Sequence, residues 1–254
     1  MTALTQDQVN FFKENQYLIV DNFFSSDEIK SFNNSTNAVM SKAIKEYYKK
    51  SNEKEILTWL SLHESGKPRK LEKISSFNPD IKEVFTGNLK KVVAQLYGEE
   101  VNLYKDRAVI KFPNQPGNSA HQDMVVGFNF VKSFISAAIC NTEQTIDNGC
   151  LDVYTGSKKY TKIEPFEFIC PCITGGTCLC VQNIQESGVD PQYRSITAPQ
   201  GAVIFFDGFL PHKSGPNLTD KHRMLTYAIY NKASEGNNYE EFYNFMYKNF
   251  KQQN

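Results

Sequence analysis

Two imidazoles and one carboxylate carry the most specific chemistry in this chain. His121 and Asp123 are separated only by Gln122, and His212 follows far downstream. Such a set can occupy one face of an octahedral metal; it suits Fe(II) and leaves the other positions open for a co-substrate and O2. Arg223 lies 11 residues past the second histidine (223 − 212). Its planar fork can hold, bidentately, a carboxylate that must reach that metal. A His-x-Asp pair alone is more often a hydrogen-bonded surface or core pair, and a lone arginine more often a surface ion pair. The four residues together make the metal reading.

Their positions set demands on the elements that carry them. In an extended segment alternate side chains share a face, so His121 and Asp123 can approach one metal while Gln122 points away. His212 must arrive from a distant strand. Ala202–Asp207 reads as a buried strand, and Gly208–Pro211 then delivers His212 at its end.

The 254 residues are 40% apolar, with 28 basic and 28 acidic side chains and no basic run. A disordered chain is excluded by that apolar content, and the balanced charge argues against nucleic acid or an anionic membrane as the main partner. No apolar stretch approaches the roughly 20 residues that span a bilayer. The opening Met1–Asp7 lacks the charged and apolar regions of a signal peptide. A cytoplasmic, reducing setting is expected, where Fe(II) persists and cysteines stay thiols.

Thr5 with Gln8 reads as a capping box opening a helix over residues 6–15, followed by a strand at Tyr17–Val20. Ser25 or Ser26 caps a second helix running toward Tyr48, and residues 49–56 read as a polar loop. Pro79-Asp80 opens a helix that Gly98 ends. Beyond Val101 the pattern turns to short β-branched and aromatic runs: Val101–Phe112, Met124–Phe130, Phe134–Cys140, Cys150–Tyr154, Phe166–Cys172, Thr177–Gln182, Ala202–Asp207 and Met224–Tyr230. Tyr239–Phe250 reads as a closing helix. Helices first and strands later predict a mainly β fold, a sandwich or barrel with helices packed outside it. No linker divides the chain. The expected organisation is a single domain over 1–254, with a helical part over about 1–100, a β core over about 101–232 and a closing helix over about 237–250.

Four ordered segments resemble the phytanoyl-CoA dioxygenase family of Fe(II)/2-oxoglutarate oxygenases. They are Leu4–Val9 with Gln16–Val20, Ala120–Asp123, Asp147–Lys159, and Pro199–Ala202 continuing through His212–Asn217 to Arg223. Lys158 stands where the family more often has histidine. The resemblance implies a double-stranded β-helix, a jelly-roll-like core. It implies that His121, Asp123 and His212 bind Fe(II) and that Arg223 pairs with the distal carboxylate of 2-oxoglutarate. Lys111 falls where the family places a polar residue facing the co-substrate, and Ser136 and Thr226 are candidates to bond its carboxylates. The implied reaction consumes O2 and 2-oxoglutarate, releases succinate and CO2, and hydroxylates an unactivated C–H bond of a small organic metabolite. Asp123 favours this outcome, because halogenating relatives lack the carboxylate. Desaturation or cyclisation would begin with the same hydrogen removal. A cupin-like protein that holds metal without turnover is a further reading, against which Arg223 argues. Oligomeric state is not legible.

Other candidates are weaker. Strand parity turns His222 away from Arg223, and His63 sits in a polar, solvated region. Cys170, Cys172, Cys178 and Cys180 flank a turn, and four thiolates would suit zinc. Their Cys-x-Cys spacing departs from the usual Cys-x2–4-Cys, which favours buried thiols over a zinc site. Arg194 and Lys111 are cations that a substrate anion would meet; for Arg194 a surface role is at least as good a reading.

Overall fold

The computed structural model describes residues 3–50, 54–124, 129–156, 159–162, 167–171, 177–180 and 192–248. The chain opens with α1 (Gln6–Asn15), β1 (Tyr17–Val20) and α2 (Ser26–Tyr48). Both helices begin at reciprocal capping boxes, Thr5 with Gln8 and Ser25 with Glu28. A short α3 (Lys54–Thr58) breaks into the stretch read as loop. Then come β2 (Leu60–Leu62), β3 (Pro68–Glu72), α4 (Pro79–Thr86) and α5 (Asn88–Tyr97). The helix expected to run from Pro79 to Tyr97 is thus two helices. Gly87 leaves helical geometry at φ −92°, ψ −118°, and a Cβ there would lie 2.7 Å from the Glu83 carbonyl oxygen.

The β region follows: β4 (Val101–Lys111), β5 (Asn118–His121), β6 (Ile135–Cys140), β7 (Leu151–Tyr154), β8 (Glu167–Pro171), β9 (Thr177–Cys180), β10 (Tyr193–Ile196), β11 (Val203–Asp207), β12 (His212–Ser214) and β13 (Arg223–Lys232). The final helix is α6 (Tyr239–Met246). Met124 is helical and residues 129–130 form a turn, so the strand expected over Met124–Phe130 is absent from its described residues; 125–128 lie outside them.

Antiparallel pairing builds a seven-stranded sheet in the order β1-β11-β6-β13-β4-β3-β2 and a four-stranded sheet in the order β10-β7-β12-β5. A separate pair joins β8 and β9. Alternation splits the larger sheet into two faces. Its outer face (Ile135, Ala137, Ile139, Val203, Phe205, Met224 and Ala228) is buried with Phe32, Phe85, Leu89, Val92 and Leu96 of the helices. Its inner face (Ala138, Cys140, Ile204, Phe206 and Leu225) packs with Leu151, Val153 and Ile196 of the smaller sheet. The result is a jelly-roll-like core flanked by helices, with sheets that face each other without closing. Among the described residues, no helix is long and apolar enough to cross a membrane.

Candidate active site

Both histidines stand on the smaller sheet. His121 ends β5 and His212 begins β12, and the two are register partners. Their rings lie 4.3 Å apart between centroids. His212 does not extend β11, as the sequence suggested. The chain leaves the seven-stranded sheet at Asp207, turns through Gly208–Pro211 and enters the other sheet. The corner is tight: a Cβ on Gly208 would lie 2.6 Å from the Phe134 ring. Asp207 Oδ1 accepts the Phe209 N–H at 2.8 Å within it.

Asp123 lies just beyond β5. The ligand atoms of His121, Asp123 and His212 all fall within 4.8 Å of one another. The Asp123 oxygens sit 3.7 Å from His121 Nε2 and 3.9 Å from His212 Nε2. Gln122 points away, as alternation requires, and is buried. Its Nε2 donates to the Phe209 carbonyl at 2.6 Å and the Lys162 carbonyl at 3.1 Å. The residue between two candidate ligands therefore straps the first motif to the turn that presents the third.

The electrostatics suit a cation. His121 Nδ1 lies 2.8 Å from the Ser119 carbonyl oxygen and His212 Nδ1 lies 3.0 Å from that of Leu210. A carbonyl only accepts, so each Nδ1 carries the proton and each Nε2 turns a lone pair toward Asp123. Burial, with His121 beside it, pushes His212 down to about 4, which leaves a neutral imidazole near pH 7. Burial alone would raise the Asp123 carboxyl, but the positive charge that His212 and His121 carry when protonated at low pH, with that of Arg107, outweighs it and holds it at about 2. Asp123 Oδ2 is buried with no hydrogen-bond partner. A buried anionic oxygen without a partner is costly unless something cationic meets it. The three residues therefore fit a divalent metal.

Arg223 begins β13 on the inner face, directly across from Lys111 of β4. Both are buried. Arg223 Nη1 donates to the neutral Gln144 amide oxygen at 3.0 Å, and its Nε has no partner. Lys111 Nζ donates to Ser214 Oγ at 2.9 Å and to the carbonyls of Gly215 (2.6 Å) and Gly149 (3.3 Å). Among the described residues neither cation has a carboxylate within ion-pair distance. Two adjoining buried cations without an anion form a receptor for one.

Two sequence candidates fall elsewhere. Thr226 is three positions from Arg223 on one strand, so it faces the helices; its Oγ1 donates to Asn141 Oδ1 at 2.8 Å. Ser136 is on the inner face, and its buried Oγ has no partner. It pairs with Phe206, whose ring lies 4.9 Å from that of His212, and with Ile229. Ile229 is six residues along β13 from Arg223 (229 − 223), about 20 Å of strand, so Ser136 cannot share a carboxylate with Arg223. His222 and Arg194 are exposed, and His63 Nδ1 meets Ser65 Oγ at 2.8 Å. Lys158 and Cys172 lie outside the described residues, as do the side chains of Cys170, Cys178 and Cys180.

The family profile described as phytanoyl-CoA dioxygenase matches residues 12–225. The chain belongs to the phytanoyl-CoA dioxygenase family. It is an iron- and 2-oxoglutarate-dependent dioxygenase. Among family relatives, it is 25% identical to the methylphosphonate hydroxylase of Gimesia maris, over 99% of this chain and 90% of that protein. It is 22% identical to the 2-aminoethylphosphonate dioxygenase of an uncultured bacterium, over 93% of this chain and 85% of that one. EctD from S. alaskensis, solved with 2-oxoglutarate and 5-hydroxyectoine, shares the fold at a TM-score of 0.70 and 20% identity, covering 91% of this chain and 77% of its own. The carbocyclase SnoK of nogalamycin biosynthesis does so at 0.68 and 15%, covering 91% and 85%.

Several inner-face residues escaped the sequence reading: Gln144, Ser214, Tyr227 and Arg107. For Arg107 a signal existed. Lys105, Arg107 and Lys111 share one parity in a strand whose other parity holds Tyr104, Ala108 and Ile110. Three cations on one parity, against the single acid Asp106 on the other, mark a polar site. A cavity of about 400 Å³ lined by Phe23, Phe32, Val84 and Leu89 lies in the helical layer, away from the candidate ligands.

Proposed function

We propose that this dioxygenase hydroxylates an unactivated C–H bond of a small organic metabolite. His121, Asp123 and His212 hold the iron, and Arg223 holds the distal carboxylate of 2-oxoglutarate, with Lys111 beside it. The observation that carries this reading is the coexistence of a three-ligand cluster, one oxygen of which has no partner, with a buried cation pair that has no carboxylate within ion-pair distance among the described residues. When bound, iron with 2-oxoglutarate and O2 supplies an oxidant strong enough to remove hydrogen from such a bond, yielding succinate and CO2.

The chain's own residues do the positioning. The carbonyls of Ser119 and Leu210 keep both imidazoles in the tautomer that offers Nε2. Gln122 holds the two ligand-bearing segments in one register. Arg223 can grip a carboxylate through two parallel bonds, which orients the co-substrate along the inner face. The apolar residues Val153, Ile204, Phe206 and Leu225 exclude water from the space between the sheets.

Two of the relatives matched over most of their length are named for phosphonates, so small phosphonates are the first substrates to test. The experiment is an anaerobic Fe(II) titration with and without 2-oxoglutarate, watched for a visible charge-transfer band, followed by succinate release and product analysis with methylphosphonate and 2-aminoethylphosphonate. A band, succinate and a hydroxylated product are expected. Iron binding with no 2-oxoglutarate-dependent band would reduce the protein to a metal binder. A desaturated or cyclised product would overturn hydroxylation while leaving the enzyme class intact.

A further inference from the structure

One half-buried cation, whose Nε is itself buried, is left over when the metal ligands and the Arg223–Lys111 pair are accounted for. Arg107 lies on the inner face of β4, between its register partners Glu72 on β3 and Tyr227 on β13. Its guanidinium sits 5.0 Å from the centre of the Tyr227 ring, a contact that orients the fork without neutralising it. Arg107 Nε is buried and has no hydrogen-bond partner. Among the described residues no carboxylate lies within ion-pair distance of it.

The carboxylate that faces it across the strands lies beyond ion-pair distance and is shared by two lysines, although its Oε2 has no hydrogen-bond partner. Glu72 is 3.2 Å from Lys70 Nζ and 3.7 Å from Lys105 Nζ. One carboxylate therefore serves three cations on adjoining strands. Asp123 is near enough to be held ionised by Arg107, but its oxygens belong to the candidate ligand cluster. Leaving a buried guanidinium nitrogen unpaired is costly, so an excess of positive charge beside a reaction centre marks a place where an anion completes the site.

That anion is not the distal carboxylate of 2-oxoglutarate. Arg107 pairs with Tyr227, four residues along β13 from Arg223 (227 − 223), about 13 Å of strand. With that backbone separation, Arg223 with Lys111 beside it takes the distal carboxylate, and Arg107 is left for another anion.

We infer that Arg107, backed by Lys105 and Lys70, is an oxyanion subsite that holds the charged end of the substrate beside the metal ligands. The inference rests on the function proposed above and narrows it. The substrate carries a compact oxyanion, a phosphonate or a carboxylate, close to the carbon that is hydroxylated. Tyr227 limits how deep the anion sits, and the guanidinium fork matches two of its oxygens.

The test uses full-length protein loaded with Zn(II) and 2-oxoglutarate, so that binding is read without turnover. Calorimetric titration with methylphosphonate and with propionate measures the subsite. Titration with 2-oxoglutarate alone measures the co-substrate pocket. Arg107→Gln is expected to weaken the anion that binds best by about 30-fold or more, the usual effect of losing a charge-assisted bond. Its affinity for 2-oxoglutarate should stay within about threefold of the unaltered protein. Arg107→Lys keeps the charge but loses the fork, and should fall between the two. If Arg107→Gln does not fold, a loss in Arg107→Lys of about fivefold for the anion, without one for 2-oxoglutarate, supports the subsite equally. The inference is overturned if neither anion binds the unaltered protein, if Arg107→Gln binds the anion as well as the unaltered protein does, or if the loss falls on 2-oxoglutarate. Failure of the iron and 2-oxoglutarate assignment would instead appear as an unaltered protein that does not bind 2-oxoglutarate.

Discussion

The two faces of the seven-stranded sheet bury polar groups in opposite ways. On the outer face they are mostly satisfied. Asp106 accepts from the Ser75 N–H (2.9 Å), the Ser75 hydroxyl (2.7 Å) and the Tyr239 hydroxyl (2.7 Å). Thr226 bonds Asn141, and the Tyr230 hydroxyl donates to the Phe85 carbonyl at 2.7 Å. The hydroxyls of Tyr104 and Thr36 are exceptions there, and both are neutral. On the inner face the unsatisfied atoms include charged ones: the Nε of Arg107 and of Arg223 and the Oε2 of Glu72. Asp123 Oδ2 adds a fourth across the gap. Satisfied buried groups hold a fold together; unsatisfied charged ones are held open for ligands.

The largest effect that would break this comparison is at the metal ligands. Asp123→Ala is expected to cut iron occupancy and 2-oxoglutarate-dependent succinate release by more than about a hundredfold, past the 10–100-fold typical of a merely supporting residue. Its circular dichroism spectrum should persist. A variant that still holds stoichiometric iron would remove Asp123 from the ligand set. Next comes Arg223→Ala, expected to raise the 2-oxoglutarate requirement roughly 30–150-fold, from the loss of a bond worth about 2–3 kcal/mol. A change below about threefold would move the anchor to Lys111.

The outer face should answer differently. Thr226→Val removes a satisfied hydrogen bond and should lower unfolding stability by about 1 kcal/mol, read in a denaturant titration. Its 2-oxoglutarate affinity should not change. A co-substrate defect like that of Arg223→Ala would mean that the two faces are not functionally separate.

The smallest effect concerns Lys111 and pH. Burial, and then the charge of Arg223, push its amine from 10.5 down to about 7. Between those values the unfolded chain binds a proton that the folded chain does not, so this group makes stability rise with pH across that window. Lys111→Met should show a shallower rise in its thermal midpoint from pH 7 to 10. Saturating 2-oxoglutarate should flatten the unaltered protein in the same way, because an anion beside the amine restores its proton. An unchanged slope in Lys111→Met would assign the dependence to other groups.

Much of this was legible in the residues. Thr5, Ser25 and Gly98 delimit helices because capping is local chemistry. The inner strands β6, β11 and β13 announce themselves as apolar or β-branched runs. Other strands do not. β5 is Asn-Ser-Ala-His and β3 is Pro-Arg-Lys-Leu-Glu, polar segments that become strands only because a neighbour supplies their hydrogen bonds. The odd offset between Arg223 and Thr226 on one strand is also legible, and it fixes them to opposite faces.

Local chemistry, then, determined the candidate ligand types, the motif order, the helix ends and the parity that turns Gln122 away from His121 and Asp123 and sets Arg223 on the inner face. The tertiary structure decided which distant residues meet. It made His121 and His212 register partners across 91 positions (212 − 121), set Lys111 opposite Arg223, and left Arg107 facing an engaged Glu72. The reason is physical. Caps and alternation arise within a few residues, whereas the pairing of strands and the balance of buried charge depend on the whole sheet, and no single segment carries them.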